Sequence, residues 1–272
     1  SDYGFSSYAF HLKNIGTIST SILYANYGKF DYADASGERN GSQFSCNDIL
    51  LQTGIGRALD SNFSIGGNLK LGASFLESYF SFATAFDIAL NYQNRAKEFG
   101  AGIIIQNIGI QLKTYSSGNR EPLPFGIHLG VSKKLGHAPF RFTFTYHDLQ
   151  RWNLTYFDAS ANQTIDPLTG QSIAASNPNF LTQFFNHIVI GSELLLSKNF
   201  HLRFGYDFKR RFELKPNSRP GTTGISWGIG FKIKKLKLSY SNSKYHFAGT
   251  SNHITLSTKI GGKPKVDDFY KQ

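Results

Sequence analysis

The sequence predicts an all-β fold, a transmembrane antiparallel β-barrel, from alternation, segment length and the absence of any long apolar run. From 200 to 209, Phe200, Leu202, Phe204, Tyr206 and Phe208 alternate with His201, Arg203, Gly205, Asp207 and Lys209. Successive side chains of a strand point to opposite faces, so this segment reads as a two-faced strand. Many segments share the pattern, and roughly ten residues tilted by about 40° cross the ~25 Å apolar band of an outer membrane. The chain contains no apolar run of about 18 residues, which excludes helical spans. Aromatic residues make up 15% of the chain, with 25 Phe and 14 Tyr, a β-rich signature, and 27 Gly suit turns and close-packed strands. The mean hydropathy of −0.28 averages a lipid face with a polar face and so conceals the first.

The alternation places strands at 3–13, 17–30, 43–57, 62–75, 79–93, 98–108, 124–134, 139–147, 184–196, 200–209, 223–233, 236–246 and 252–260. The outward sets include Phe63, Ile65, Leu69, Leu71 and Phe75, then Phe80, Phe82, Phe86, Ile88, Leu90 and Tyr92. They continue with Phe125, Ile127, Leu129 and Val131, and with Ile225, Trp227, Ile229, Phe231 and Ile233. The opposite face is small or polar, as in Ser64, Gly66, Asn68, Lys70, Gly72 and Ser74.

Short turns at 13–16, 59–62, 94–97, 135–138, 197–199 and 234–235 take turns with longer links at 31–42, 109–123, 148–183 and 210–222. On the long side, 76–78 and 247–251 are themselves short. Bacterial barrels keep short turns on the periplasmic side, have an even strand count and hold both termini inside. Thirteen strands beginning and ending on a descent therefore predict one more upstream, about fourteen in all, enough to enclose a lumen wider than its own side chains fill. Residues 1–262 are expected to form the barrel and 263–272 a periplasmic tail. A start at Ser1 and the absence of Met predict a mature or truncated form lacking an upstream export signal.

The chain carries 29 basic and 18 acidic residues, net +11. Most bases sit at turns and strand ends, as at Lys133, Lys134, Lys232, Lys234, Lys235 and Lys237, which suits headgroup contact and not nucleic acid. Lys209, Arg210, Arg211, Lys215 and Arg219 fall on the expected outer side, where lipopolysaccharide phosphates or an acidic partner could bind.

No catalytic constellation emerges, so the chain is read as a non-enzyme needing no cofactor. His11, His128, His137, His147, His187, His201, His246 and His253 are scattered without ligand spacing, and Cys46 stands alone, so no metal site is expected. Gly54-Ile55-Gly56 and Gly228-Ile229-Gly230 lie inside strands with no helix following, and read as strand glycines. Lys70, Asp87, Arg141, Glu193, Arg203 and Asp207 on the polar face predict an ion-pair network. The longest link, 148–183, carries Arg151, Trp152, Tyr156, Phe157 and Phe180, the residue types that anchor protein interfaces. Those five are the candidate partner-binding residues, and the competing reading folds the same link inward over the barrel mouth.

Particular runs carry a family resemblance. One extends from Asn119-Arg-Glu-Pro-Leu-Pro-Phe-Gly to Ala138-Pro-Phe-Arg-Phe-Thr and on through His147-Asp-Leu-Gln-Arg-Trp-Asn-Leu-Thr-Tyr156. Others are Leu69-Lys-Leu with Leu76-Glu-Ser-Tyr79, Lys232-Ile-Lys-Lys-Leu, Tyr245-His-Phe-Ala-Gly and Ser251-Asn-His253. Together these resemble the PorQ family of the Bacteroidetes type IX secretion system, within the wider FadL-like and PorV-like barrels. The resemblance implies fourteen strands and an N-terminal hatch, a segment this sequence does not contain. It further implies a non-enzymatic outer-membrane anchor that holds PorZ at the cell surface beside the sortase PorU and the shuttle PorV. The alternatives are a FadL-like transporter of hydrophobic small molecules, which a bulge or proline interrupting a wall strand would favour, and a porin.

Overall fold

The computed structural model describes residues 2–260 except 35, 117, 155–163, 166–171, 174–178, 214–220 and 247–248, so the expected tail at 263–272 lies outside the described residues. Strands β1 (Asp2–Leu12), β2 (Gly16–Ala33), β3 (Arg39–Ala58), β4 (Phe63–Leu76), β5 (Tyr79–Asn94), β6 (Phe99–Lys113), β7 (Gly126–Lys134) and β8 (Phe140–Tyr146) follow one another along the chain. The long link holds β9 (Thr164–Ile165), β10 (Ser172–Ile173) and helix α1 (Phe180–Asn186). Then come β11 (Ile188–Leu194), β12 (Phe200–Asp207), helix α2 (Phe208–Glu213), β13 (Ile225–Ile233), β14 (Leu236–His246) and β15 (Gly249–Thr258). Thirteen of the strands form one sheet in chain order, β1 to β8 and then β11 to β15, while β9 and β10 pair separately. The chain divides into two compact units, Ser1–Asn94 with Ala101–Ile127 and Arg95–Gly100 with His128–Gln272.

Among the described residues the paired strands run antiparallel, in the register that a two-faced strand needs. In the first unit, Ile65↔Leu90, Leu69↔Phe86 and Phe75↔Phe80 sit opposite each other across β4 and β5. In the second, Phe204↔Trp227 and Phe200↔Phe231 do the same across β12 and β13. A slip of one residue would carry every apolar side chain to the wrong face, so the repeated pattern fixes the register.

The burial pattern is inverted relative to a water-soluble protein. Among the described residues the buried hydrophobic side chains are Ala85 and Ile188, while Ser81, Asp87, Gln111, Asn186, His187 and Thr223 are buried polar groups. Leu69 is 49% exposed, Phe204 54% and Ile254 76%. An apolar surface on this scale needs a nonaqueous neighbour.

Several sequence expectations are corrected. The opening segment 200–209 is strand only to Asp207, because the Asp207 carboxylate accepts from the Arg210 amide at 3.1 Å and caps α2 in the manner of an N-cap. The segment 184–196 becomes strand at Ile188, since Asn179 caps α1 by accepting from the Thr182 amide at 2.8 Å. The links at 31–42 and 109–123 shorten because β2, β3 and β6 run further than the alternation suggested. Tyr32, Phe30 and Phe44 stack across the extended β2–β3 hairpin at ring distances of 5.0 and 5.5 Å.

Candidate functional site

The first unit holds a polar network on the inner side of β3 to β6. Lys70 meets Asp87 at 2.7 Å, with only 15% and 9% of the two side chains exposed. Both also engage Asn107: its amide donates to Asp87 at 2.8 Å and its side-chain oxygen accepts from Lys70 at 2.9 Å. Asn107 has φ 59, a left-handed conformation inside β6, and its side-chain amide donates to the Pro124 carbonyl at 2.8 Å. Two residues on, a Cβ on Gly109 would run into the Thr84 carbonyl, so only glycine permits this approach. The interruption of β6 at Asn107 was not visible in the alternation, since Asn107-Ile108-Gly109 reads as ordinary strand. Beside it lies a cavity of about 450 Å³ lined by Ser19, Ser21, Gln52, Asn68 and Asp87 among glycines and a few aliphatic residues.

In the second unit, the polar face carries ion pairs of its own, and Asp207 takes a partner, Arg210, outside the expected network. Glu193 takes Arg141 at 2.8 Å and Arg203 at 2.9 Å, and Asp207 takes Arg210 at 3.1 Å.

The long-link end of this unit carries most of the candidate partner residues. His187 is fully buried. Its Nδ1 lies 2.7 Å from the His147 carbonyl and its Nε2 3.0 Å from the Trp152 carbonyl. Carbonyl oxygens only accept, so the neutral ring satisfies one of the two and the imidazolium satisfies both. Tyr146 stacks on the ring at 4.8 Å and Trp152 at 5.8 Å. Through this clasp the start of the long link and the end of α1 are tied to β8. Trp152 in turn packs against Phe180 at 5.0 Å, yet the two remain 46% and 67% exposed. Leu181 beside them is 60% exposed.

The structure thus brings Trp152 and Phe180 together, with Arg151 exposed beside them in the turn whose amide donates to the Asp148 carbonyl at 3.0 Å. Tyr156 and Phe157 lie outside the described residues, as do Lys215 and Arg219. Lys209, Arg210 and Arg211 stand on α2 and are half-buried; Arg210 is paired with Asp207, and Arg211 donates to the Gly221 carbonyl. Phe185 against Phe208 at 5.1 Å joins α2 to α1.

Three of the eight histidines come together in space although they are scattered in sequence. His128, His147 and His187 approach one another with ring distances of 6.5 and 6.1 Å. Asp148, at φ 57, accepts from His147 at 2.8 Å, and its amide donates to His128 at 3.3 Å. Burial pushes the Asp148 carboxyl up, but the hydrogen bond and charge of His147, the Gln150 amide and the charge of His128 together hold it below the usual carboxylate range. The adjacent pair His147-Asp148 was a signal for this node that its spacing from His128 and His187 concealed.

No protein-family model matches the chain, and no curated protein matches it in sequence. Among solved structures, the toluene transporter TbuX of Ralstonia pickettii is similar at a TM-score of 0.50 and 9% identity, over 93% of this chain and 78% of that one. The fold is that of an outer-membrane β-barrel. The exposed apolar face of the sheet is then its lipid coat, and the long-link end, with Trp152 and Phe180, is the end that bacterial barrels turn outward. The toluene transporter TodX of Pseudomonas putida gives 0.49 at 12% identity, over 88% and 76%. A FadL homologue of Pseudomonas aeruginosa gives 0.44 at 9%, over 93% and 70%. The narrower resemblance to the PorQ family has no counterpart among these three.

Proposed function

We propose that this barrel is a non-enzymatic anchor of a surface attachment complex of the type IX kind, holding a PorZ-like protein at its long-link end beside PorU and PorV. The observation that carries the reading is the Trp152–Phe180 pair, held exposed on the buried His187 clasp. Preorganised, exposed aromatics are what an interface hot spot needs, because little side-chain entropy remains to be lost on docking. Lys209, Arg210 and Arg211, with Lys215 and Arg219, are the proposed contacts to lipopolysaccharide phosphate. Exchanging the five for serine should weaken that association, and unchanged binding would remove them from the account. For the partner, the double variant W152S/F180S should fold and insert normally but fail to co-purify the PorZ-like protein. Undiminished co-purification would sink this assignment.

A second reading, a transporter of hydrophobic small molecules, is favoured by the interruption of β6 at Asn107, where a wall strand leaves its regular ladder. It predicts that an apolar probe such as toluene enters vesicles carrying the barrel faster than vesicles lacking it, and that replacing Asn107 with a β-forming residue such as Val abolishes the difference.

A further inference from the structure

The polar face of the second unit carries an excess of positive charge that neither reading uses. On β8, β11 and β12 the partners Arg141↔Glu193↔Arg203 form one row. One row on, His201 faces Gly230, and beyond it Lys232 faces Lys237. Arg141 and Arg203 therefore share the one carboxylate of Glu193, and two further cations, Lys232 and Lys237, stand two rows on along β13 and β14.

The carboxylate is enclosed, with 14% of its side chain exposed, whereas Arg141 and Arg203 remain 44% and 57% exposed above it. A guanidinium offers five N–H donors, and the bond to Glu193 uses the Nη1 donor of Arg141 and the Nε donor of Arg203. Glu193 thus fixes the two forks and leaves donors facing the open side. Lys232 and Lys237 are direct cross-strand partners, an arrangement that is destabilising for like charges unless something negative lies between or above them. None of the ion pairs among the described residues includes either lysine.

Between the two sets of cations, Gly228 faces Ser241 and Gly230 faces Ser239, so the wall itself offers hydroxyls, and the bulk over Gly230 is the His201 ring. The His201 ring occupies the place a Cβ on Gly230 would need, and its buried Nε2 has no hydrogen-bond partner, the Glu193 carboxylate lying 3.9 Å away.

We propose that Arg203, His201, Lys232 and Lys237, over the Gly228–Gly230 and Ser239–Ser241 floor, form a binding site for a small phosphate-type oxyanion. The fork of Arg203 takes two oxygens, the lysines act as point charges from the turn side, and the serine hydroxyls donate from below. The site lies on the polar face toward the short-turn end, remote in the chain from Trp152 and Phe180, and stands independently of the function proposed for that pair.

The test is titration of the purified full-length barrel in detergent with inorganic phosphate, read by 31P line broadening at low ionic strength, with chloride as competitor. Wild type should bind phosphate with an affinity that falls as salt rises. The variant K232Q/K237Q should bind about tenfold more weakly. S239E, which places a negative charge in the floor while keeping every cation, should abolish binding, and it guards against a lysine variant that does not fold. No binding by wild type, or equal binding by wild type and either folded variant, would overturn the proposal.

Discussion

Single residues in this wall carry defined consequences. Removing one partner of the enclosed Lys70–Asp87 pair strands the other charge, so Lys70→Met should destabilise the barrel by about 3 kcal/mol, measured by urea unfolding in micelles. Gly109→Ala must push β6 from β5 at the Thr84 carbonyl, for a loss of about 1–3 kcal/mol in the same assay. Asp148 sets a pH dependence. Its carboxyl is held below the usual range, so its stabilising effect is full above the unfolded value of about 3.9 and is lost as pH falls through the lowered folded value. In a Trp227→Phe background, Trp152 fluorescence should therefore show a step in acid below the unfolded carboxylate value, and Asp148→Asn should erase that step. These residues were unequally legible. Lys70 and Asp87 stood out as charges on a polar face, whereas Asn107 and Gly109 look like any strand residues and reveal themselves only through φ 59 and the closeness of Thr84.

The elements divide the same way. Period-two alternation located every wall strand to within a few residues, because lipid on one face and polar contacts on the other impose it. It overran into α1 and α2, where Phe184, Phe185 and Phe208 continue the aromatic rhythm while the backbone turns helical. The caps Asn179 and Asp207 were the available signals, and both are local hydrogen bonds that a count of apolar positions ignores. Asn179→Ala should cost the short helix about 1 kcal/mol. Faster amide exchange at Thr182 with unchanged exchange in β12 would register it. An equal loss of protection in both elements would mean that α1 and the wall unfold together.

For the whole molecule, the inverted burial is the organising fact. Apolar side chains such as Leu69, Phe204 and Ile254 are exposed while Asp87, Gln111 and His187 are buried, so lipid does on the outside what a hydrophobic core does inside a soluble protein. That much was legible, because alternation reports faces directly. The convergence of His128, His147 and His187 with Trp152 was not, since it joins residues far apart in sequence through a link whose path no local pattern specifies. The anchor function proposed for that junction is testable in the intact cell. A photoactivatable cross-linker at Phe180, with a second at lipid-facing Leu69 as control, should give an adduct with the PorZ-like surface protein from Phe180 alone. An adduct from neither position, in cells where both variants insert and the surface protein is present, would contradict the anchor role.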